Sequence, residues 1–130
     1  KQRIRETSDT MAITLSKDAL NAGKAGEKAV EVLDRLQHMQ LAAREASQLL
    51  RVMSNENRLL LLCQLSQGER SVGELEEMLG IRQPTLSQQL GVLRSEELVQ
   101  TRRDGKQIFY RIADERAQQV LETLYRLYCS

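Results

Sequence analysis

The apolar residues of the first half of the chain recur every three or four positions, as they do along one face of an α-helix. This spacing holds from Val30 to Met53 and predicts one long helix, or two joined end to end, over residues 20–52. Residues 1–17 show no clear period and are expected to form a loose arm. So small a chain offers the outer part of this helix little to pack against, which favours a partner subunit, with a free helical extension as the alternative.

A second helix is predicted to begin at Ser54-Asn55, because either side chain can accept hydrogen bonds from the free amides of a helix start. It is expected to end near Gln67, before Gly68. Within it, Leu59–Cys63 is apolar almost all round. Such a segment is typical of a central, buried helix.

Two further helices are predicted beyond it. Ser71-Val72-Gly73-Glu74 has the pattern of a capping box and opens a short helix that stops at Gly80. A longer helix is expected over residues 83–96, with Pro84 in its first turn, where proline is well tolerated. Its apolar face consists of Leu86, Leu90 and Leu93, at positions i, i+4 and i+7.

The period then changes from that of a helix to that of strands. Residues 98–103 and 107–112 are β-prone runs, and Asp104-Gly105 between them is a strong hairpin signal. Asp114 is expected to cap a last helix that continues to the chain end. The apolar side of this helix is formed by Ala117, Val120, Leu121, Leu124 and Leu127 or Tyr128.

The order of these elements predicts a mainly α fold with a small β-hairpin, a winged helix-turn-helix. The turn at Gly80–Gln83 has the length of a helix-turn-helix connection. Residues 36–130 are expected to form this domain, and residues 1–35 an N-terminal arm and helical extension. The 130 residues suit one ordinary domain, and four aromatic residues leave the core mostly to aliphatic side chains.

Composition excludes several classes of protein. No run approaches 18 apolar residues, and no signal peptide opens the chain, so a cytoplasmic protein without a membrane span is expected. Two cysteines then favour a reducing compartment. Signatures of serine hydrolases, phosphate-binding loops and dinucleotide-binding folds are absent, which predicts that the protein is not an enzyme and needs no cofactor.

The charge is concentrated in one window. The net charge is +1, but residues 82–111 carry six basic and three acidic side chains. The polar face of helix 83–96 would fit a DNA major groove, and the hairpin would reach phosphates. The rival interpretation is an amphipathic helix with a solvated face. The predicted contacts to double-stranded DNA are Gln83, Thr85, Ser87, Gln88, Gln89, Arg94, Arg102, Arg103 and Lys106.

Three segments resemble the ArsR-type family of bacterial repressors. They are Val52–Leu59, Gln83–Arg94 and Lys106–Arg111, supported by Ser71-Val72-Gly73-Glu74-Leu75. The resemblance extends over residues 38–129. It implies a homodimer built from the first and last helices, bound to an imperfect inverted repeat. Gln89 departs from the pattern, because many relatives have His there.

Metal binding is not expected, although relatives often bind metals. The metal-sensing members carry a Cys-x-Cys motif or Asp and His ligands on the last helix. This chain has no Cys-x-Cys and no His in its last helix. His38 is the single histidine and is interpreted as a surface or packed residue.

The remaining chemistry lies in Cys63 and Cys129. Their positions, in the second helix and just after Tyr125–Tyr128, resemble the dithiol branch of the family, of the BigR, SqrR and HlyU kind. That resemblance implies a sensor of reactive sulfur species or oxidants, whose thiols form a disulfide or a polysulfide bridge that releases DNA. The alternatives are a repressor that binds a soft metalloid such as As(III), and an interaction module with passive cysteines.

Overall fold

The computed structural model describes residues 23–129 of the chain. The predicted arm over residues 1–17 and the predicted start of the long helix at residue 20 lie outside this range. Helices and strands follow in the order α1 (Gly23–Met53), α2 (Glu56–Ser66), β1 (Arg70–Ser71), α3 (Val72–Leu79), α4 (Thr85–Ser95), β2 (Val99–Asp104), β3 (Gln107–Ile112) and α5 (Glu115–Tyr128). This order confirms the winged helix-turn-helix.

Contacts divide the chain into two units, one ending at Ala46 and the other beginning at Ser47. The first unit contains the greater part of α1. Several of its apolar side chains are exposed to solvent, namely Val30, Leu33, Met39 and Leu41. The second unit contains the end of α1 and all the other elements. The predicted domain boundary between residues 35 and 36 stays a prediction.

Local side-chain chemistry starts the helices of the second unit. The Asn55 side chain accepts from the Arg58 amide at 3.0 Å and begins α2. Ser71 and Glu74 form the predicted capping box of α3. Asp114 begins α5 by accepting from two backbone amides. Gly80 ends α3 at φ 67°, in the left-handed region that glycine adopts without a steric penalty.

Most of the buried side chains in the core of the second unit are leucines. The largest side chains without solvent exposure come from four helices of the second unit, and they are Leu61, Leu62, Leu75, Leu86, Leu93 and Leu121. Leu61 and Leu62 belong to the run that predicted a central helix, and α2 indeed packs against α3, α4, α5 and β3. The buried face of α4 is the predicted one.

The sheet differs from the prediction in two respects. It has three antiparallel strands in the order β1-β3-β2, because Arg70 and Ser71 pair with Tyr110 and Phe109. A strand of two residues carries no periodic signal, so sequence could not reveal it. The hairpin turn is also shifted by one residue: Asp104 pairs with Gln107, so the connecting residues are 105 and 106 rather than Asp104-Gly105.

The ends of α4 and α5 also differ from expectation. α4 begins at Thr85, with Pro84 in the capping position and no side-chain cap, so Gln83 precedes the helix instead of opening it. In α5, Ala117 and Leu121 are fully buried, whereas Leu127 and Tyr128 are 70% and 81% exposed. The predicted apolar face of α5 therefore leaves the core in its last turn.

Candidate nucleic-acid interface and thiol pair

The outer face of α4 is polar. Ser87, Gln88 and Arg94 are exposed on it, while Thr85 is half-buried at its start. Gln83 is exposed just before the helix, and the Ser87 hydroxyl donates a hydrogen bond to its side-chain carbonyl. Amide and hydroxyl groups of this kind both donate and accept, so the surface can bond to base edges in a major groove.

Gln89 has a different environment from the other predicted contacts. It is half-buried and lies three residues after Leu86 and four before Leu93, on the side of α4 that packs into the core. Its Oε1 accepts a hydrogen bond of 2.9 Å from Nη1 of Arg58, in α2. Sequence reasoning missed this bond because the two residues are 31 positions apart and each looks polar and solvated.

The three predicted cations of the wing are exposed but not equivalent. Arg102 donates from Nε to both carboxylate oxygens of Glu69, each at 2.9 Å, and its guanidinium lies 4.4 Å from the centroid of the Phe109 ring. The Arg102 guanidinium holds the pKa of the Glu69 carboxyl below its ordinary value. Arg103 and Lys106 have no acidic partner within residues 23–129. Of these three wing cations, Arg103 and Lys106 are therefore the two whose charges are available to a phosphate.

A groove of about 500 Å³ separates α4 from the wing. Arg94 and Ser87 line its α4 side and Lys106 its wing side. Gly91 contributes no side chain, and the space where its Cβ would stand is open. The remaining lining comes from Ser71, Val72, Gly73, Leu90, Gln107, Ile108 and Tyr110. A groove with a cation on each wall suits a strand of the DNA backbone.

The structure brings the two cysteines to one pocket. Both are free thiols, with Cys63 half-buried in α2 and Cys129 exposed at the C-cap of α5. The pocket has a volume of about 420 Å³ and an almost wholly apolar lining. The other lining residues are Glu56, Leu59, Leu60, Leu124, Tyr125 and Tyr128.

The two thiols differ in exposure, and burial changes the acidity of Cys63. Burial raises the pKa of the Cys63 thiol above its ordinary value, and a thiolate at Cys129 raises it further. The raised pKa leaves less of Cys63 in the thiolate form than an unperturbed thiol would have, and burial also restricts the access of reagents to it.

The described residues offer no cluster of three or more His, Cys, Asp or Glu side chains that could hold a metal ion. Nδ1 of His38 lies 3.3 Å from the Asp34 carbonyl oxygen within the same helix. Among residues 23–129, no helix has the length and apolar character of a membrane span.

Comparison with known proteins gives consistent matches. The profile of bacterial regulatory proteins of the arsR family matches residues 55–101. The biofilm growth-associated repressor of Agrobacterium fabrum is 54% identical over 92 residues, which cover 71% of this chain and 79% of that protein.

Two solved structures are similar over a comparable share of the chain. The crystal structure of the transcriptional repressor BigR from Xylella fastidiosa has a TM-score of 0.68 at 51% identity and covers 72% of this chain and 96% of its own. Reduced HlyU from Vibrio cholerae has a TM-score of 0.70 at 41% identity and covers 72% and 99%. With its helix-turn-helix, its hairpin wing and these relatives, the chain belongs to the arsR family of bacterial regulatory proteins.

Proposed function

We propose that the protein is a homodimeric transcriptional repressor that binds an inverted-repeat operator and leaves it when Cys63 and Cys129 become bridged. The bridge is a disulfide or polysulfide formed by a persulfide or an oxidant. The observation that carries the proposal is the shared apolar pocket, which brings the only two thiols of the chain together from α2 and α5. The similar protein from Agrobacterium fabrum is named a repressor, which supports repression rather than activation.

DNA binding is assigned to the polar face of α4 and to the wing. α4 would enter the major groove with its exposed side chains, while the DNA backbone lies in the groove between α4 and the hairpin. Arg103 and Lys106 would contact phosphates, and Arg102 adds to the local field while it remains paired with Glu69. The proposed base-edge contacts are Gln83, Thr85, Ser87 and Gln88, and Arg94 on the groove wall would contact the DNA backbone.

Apolar side chains that are exposed to solvent in the single chain support a homodimer. In the last turn of α5, Leu127 and Tyr128 are 70% and 81% exposed, and Tyr125 is 47% exposed. Aromatic and aliphatic groups exposed together mark an interaction surface. A second copy is the proposed cover, because an inverted repeat needs two recognition helices related by a two-fold axis.

Reaction with a persulfide requires no additional oxidant. The exposed thiolate of Cys129 attacks the outer sulfur of RSSH, forms a protein persulfide and expels RS⁻. The Cys63 thiol then loses its proton and attacks the Cys129 Sγ, forming the disulfide and expelling HS⁻. A second sulfur transfer before closure leaves an extra sulfur in the bridge. With peroxide, Cys129 becomes a sulfenic acid and closure expels water.

Intact mass spectrometry under non-reducing conditions tests the thiol chemistry. Reduced protein treated with an alkyl persulfide is expected to lose two hydrogens if a disulfide forms, or to lose two hydrogens and gain one or more sulfur atoms if a polysulfide forms. In both cases the bridge lies within one chain and both thiols are blocked to alkylation. Cys63→Ser should stop at a persulfide on Cys129, and Cys129→Ser should react more slowly, with a rate that rises steeply as the pH increases. Equal reactivity of the two variants at neutral pH would contradict the assigned order of attack.

The consequence for DNA is measured separately. The operator is first selected from random duplex DNA by the reduced protein. Binding should weaken about 10³- to 10⁵-fold between 50 and 200 mM salt if the dimer neutralises about 6–10 phosphates. Bridging should release the operator in wild type, and both serine variants should bind it but resist release. Operator affinity that does not change on bridging would rule out the switch, and absent or salt-insensitive binding would favour an interaction module.

A further inference from the structure

Arg58 connects three elements of the second unit. It lies in the first turn of α2, where it is half-buried. Its Nε donates to the backbone carbonyl of Val52, in the last turn of α1, at 2.7 Å. Its Nη1 donates to Oε1 of Gln89, in α4, at 2.9 Å. One guanidinium thus joins the end of α1, the start of α2 and the middle of α4.

The chemistry of these groups fixes how Gln89 is oriented. A guanidinium has only donors, so the carbonyl side of the Gln89 amide must face Arg58. The adenine contact typical of glutamine needs that same oxygen to accept from the base while the amide nitrogen donates. Gln89 also lies on the side of α4 that carries Leu86 and Leu93, both fully buried. The residue is therefore poorly placed to bond to a base.

The position of Arg58 relative to the thiol is the second part of the argument. Cys63 follows Arg58 by five residues, which is about 140° around a helix and about 7.5 Å along its axis. The two side chains thus leave α2 on nearly opposite sides, Cys63 toward the pocket shared with α5 and Arg58 toward α4. Between these sides, the helix is held by the buried side chains of Leu61, Leu62 and Leu65.

A tightly packed helix does not absorb a local displacement by deforming. Close-packed interiors transmit strain, and small shifts move packed elements as units. Closing a bridge between Cys63 and Cys129 pulls one side of α2 toward α5. The opposite side, which carries Arg58, must then move relative to α4.

We propose that Arg58 is a positioning residue that couples the thiol pocket to α4 through Gln89. In the reduced protein the hydrogen bond holds α4 in the orientation that binds the operator. Bridging the thiols displaces α2, and the bond transmits that displacement to α4. Gln89 accordingly serves this connection and does not select a base. This inference rests on the thiol switch proposed above.

The test compares three quantities in full-length dimeric protein: operator affinity of the reduced form, base preference at each operator position, and the ratio of reduced to bridged affinity. Gln89→Met keeps the length of the side chain and removes the acceptor. Allosteric ratios are typically about 5- to 150-fold. The ratio for Gln89→Met is expected to fall at least about threefold below that of wild type, while base preference is unchanged.

Two matched variants control the experiment. Gln88→Met alters the neighbouring glutamine, which is exposed on the outer face, so it should weaken operator binding or change base preference and keep the wild-type ratio. Gln89→Glu retains an acceptor for Arg58 and should restore the ratio. Circular dichroism melting of each variant identifies any loss of folding. Arg58→Ala with Gln89→Met should lower the ratio no further than Arg58→Ala alone.

The outcomes separate the two proposals. A wild-type ratio near one would refute the thiol switch and with it this inference. A normal wild-type ratio together with an unchanged ratio in folded Gln89→Met would refute the coupling alone. A changed base preference at one operator position in Gln89→Met would show that Gln89 reads DNA, which would also overturn the inference.

Discussion

α4 and α5 are both amphipathic, but their apolar faces are buried to different extents within a single chain. In α4, Leu86 and Leu93 are fully buried and Leu90 is 2% exposed, so its apolar face is complete. In α5, Ala117 and Leu121 are fully buried, whereas the last turn leaves Leu127 and Tyr128 in solvent. The solvent-exposed face of α4 is polar, whereas the solvent-exposed last turn of α5 is apolar. The first surface suits DNA, and the second suits another protein surface.

The largest expected effect is a loss of stability, and two matched leucine substitutions, one in each helix, test the contrast between core and interaction surface. Leu93→Ala should lower the free energy of unfolding by about 2–5 kcal/mol, because it leaves a cavity in the core. Leu127→Ala removes the same atoms from an exposed position and should change it by less than about 0.5 kcal/mol at concentrations where the chain is monomeric.

Urea unfolding and sedimentation provide the two measurements for this pair. Leu127→Ala is expected to raise the dissociation constant of the dimer while leaving monomer stability intact. Equal losses of monomer stability from the two substitutions would show that the end of α5 belongs to the core. The contrast between the helices would then not hold.

A smaller effect is expected from the wing, which extends the polar side of the molecule beyond α4. Arg103→Ala should weaken operator binding about tenfold in the dimer, since each subunit loses one phosphate contact of about 0.5–1 kcal/mol. It should also reduce the salt slope by about 0.9 per contact, without changing base preference. Operator titrations at several salt concentrations give both quantities.

The control for Arg103→Ala is a double variant that removes both partners of an ion pair, instead of one cation that is available to DNA. Arg102→Ala combined with Glu69→Ala leaves the net charge unchanged, because the two side chains neutralise each other across 2.7 Å. The salt slope should then remain close to that of wild type. A slope that falls as far as in Arg103→Ala would mean that Arg102 leaves Glu69 for a phosphate in the complex.

The smallest expected effect is on the free energy of folding and comes from the N-terminal caps of α4 and α5. Asp114 accepts from the amides of Arg116 and Ala117 at 2.8 and 3.1 Å and so attaches the start of α5. Asp114→Ala should cost about 1 kcal/mol of folding free energy, measured by urea unfolding. Pro84 provides no side-chain cap to α4, so Pro84→Ala lacks this penalty and serves as a comparison. Equal losses would show that the Asp114 cap contributes nothing specific.

Helix caps and helical periods were predictable because they depend on neighbours in sequence. The Ser71–Glu74 capping box and the αL stop at Gly80 form within one turn of backbone, and both predictions are confirmed. The Asp104-Gly105 signal placed the hairpin correctly but its turn one residue early, since the register depends on pairing across both strands. β1 escaped prediction because two residues have no period.

The candidate sites divide in the same way. The sequence identified the two cysteines and the polar residues of α4, because their residue types limit their chemistry. It could not distinguish Gln88 from Gln89, which are adjacent and chemically identical. Only packing separates them: Gln88 is exposed, whereas Gln89 lies beside core leucines and accepts a bond from Arg58.

The sequence by itself determined the order of helices and strands, the leucine core and the family, since these follow from local periodicity and from strings of residues. The tertiary structure alone decided which charges are already paired, as with Arg102 and Glu69, and which helix ends remain uncovered. It also decided that Cys63 and Cys129, 66 positions apart, line one pocket. Contacts between distant residues depend on how elements pack, and the free energy of packing is shared among many side chains.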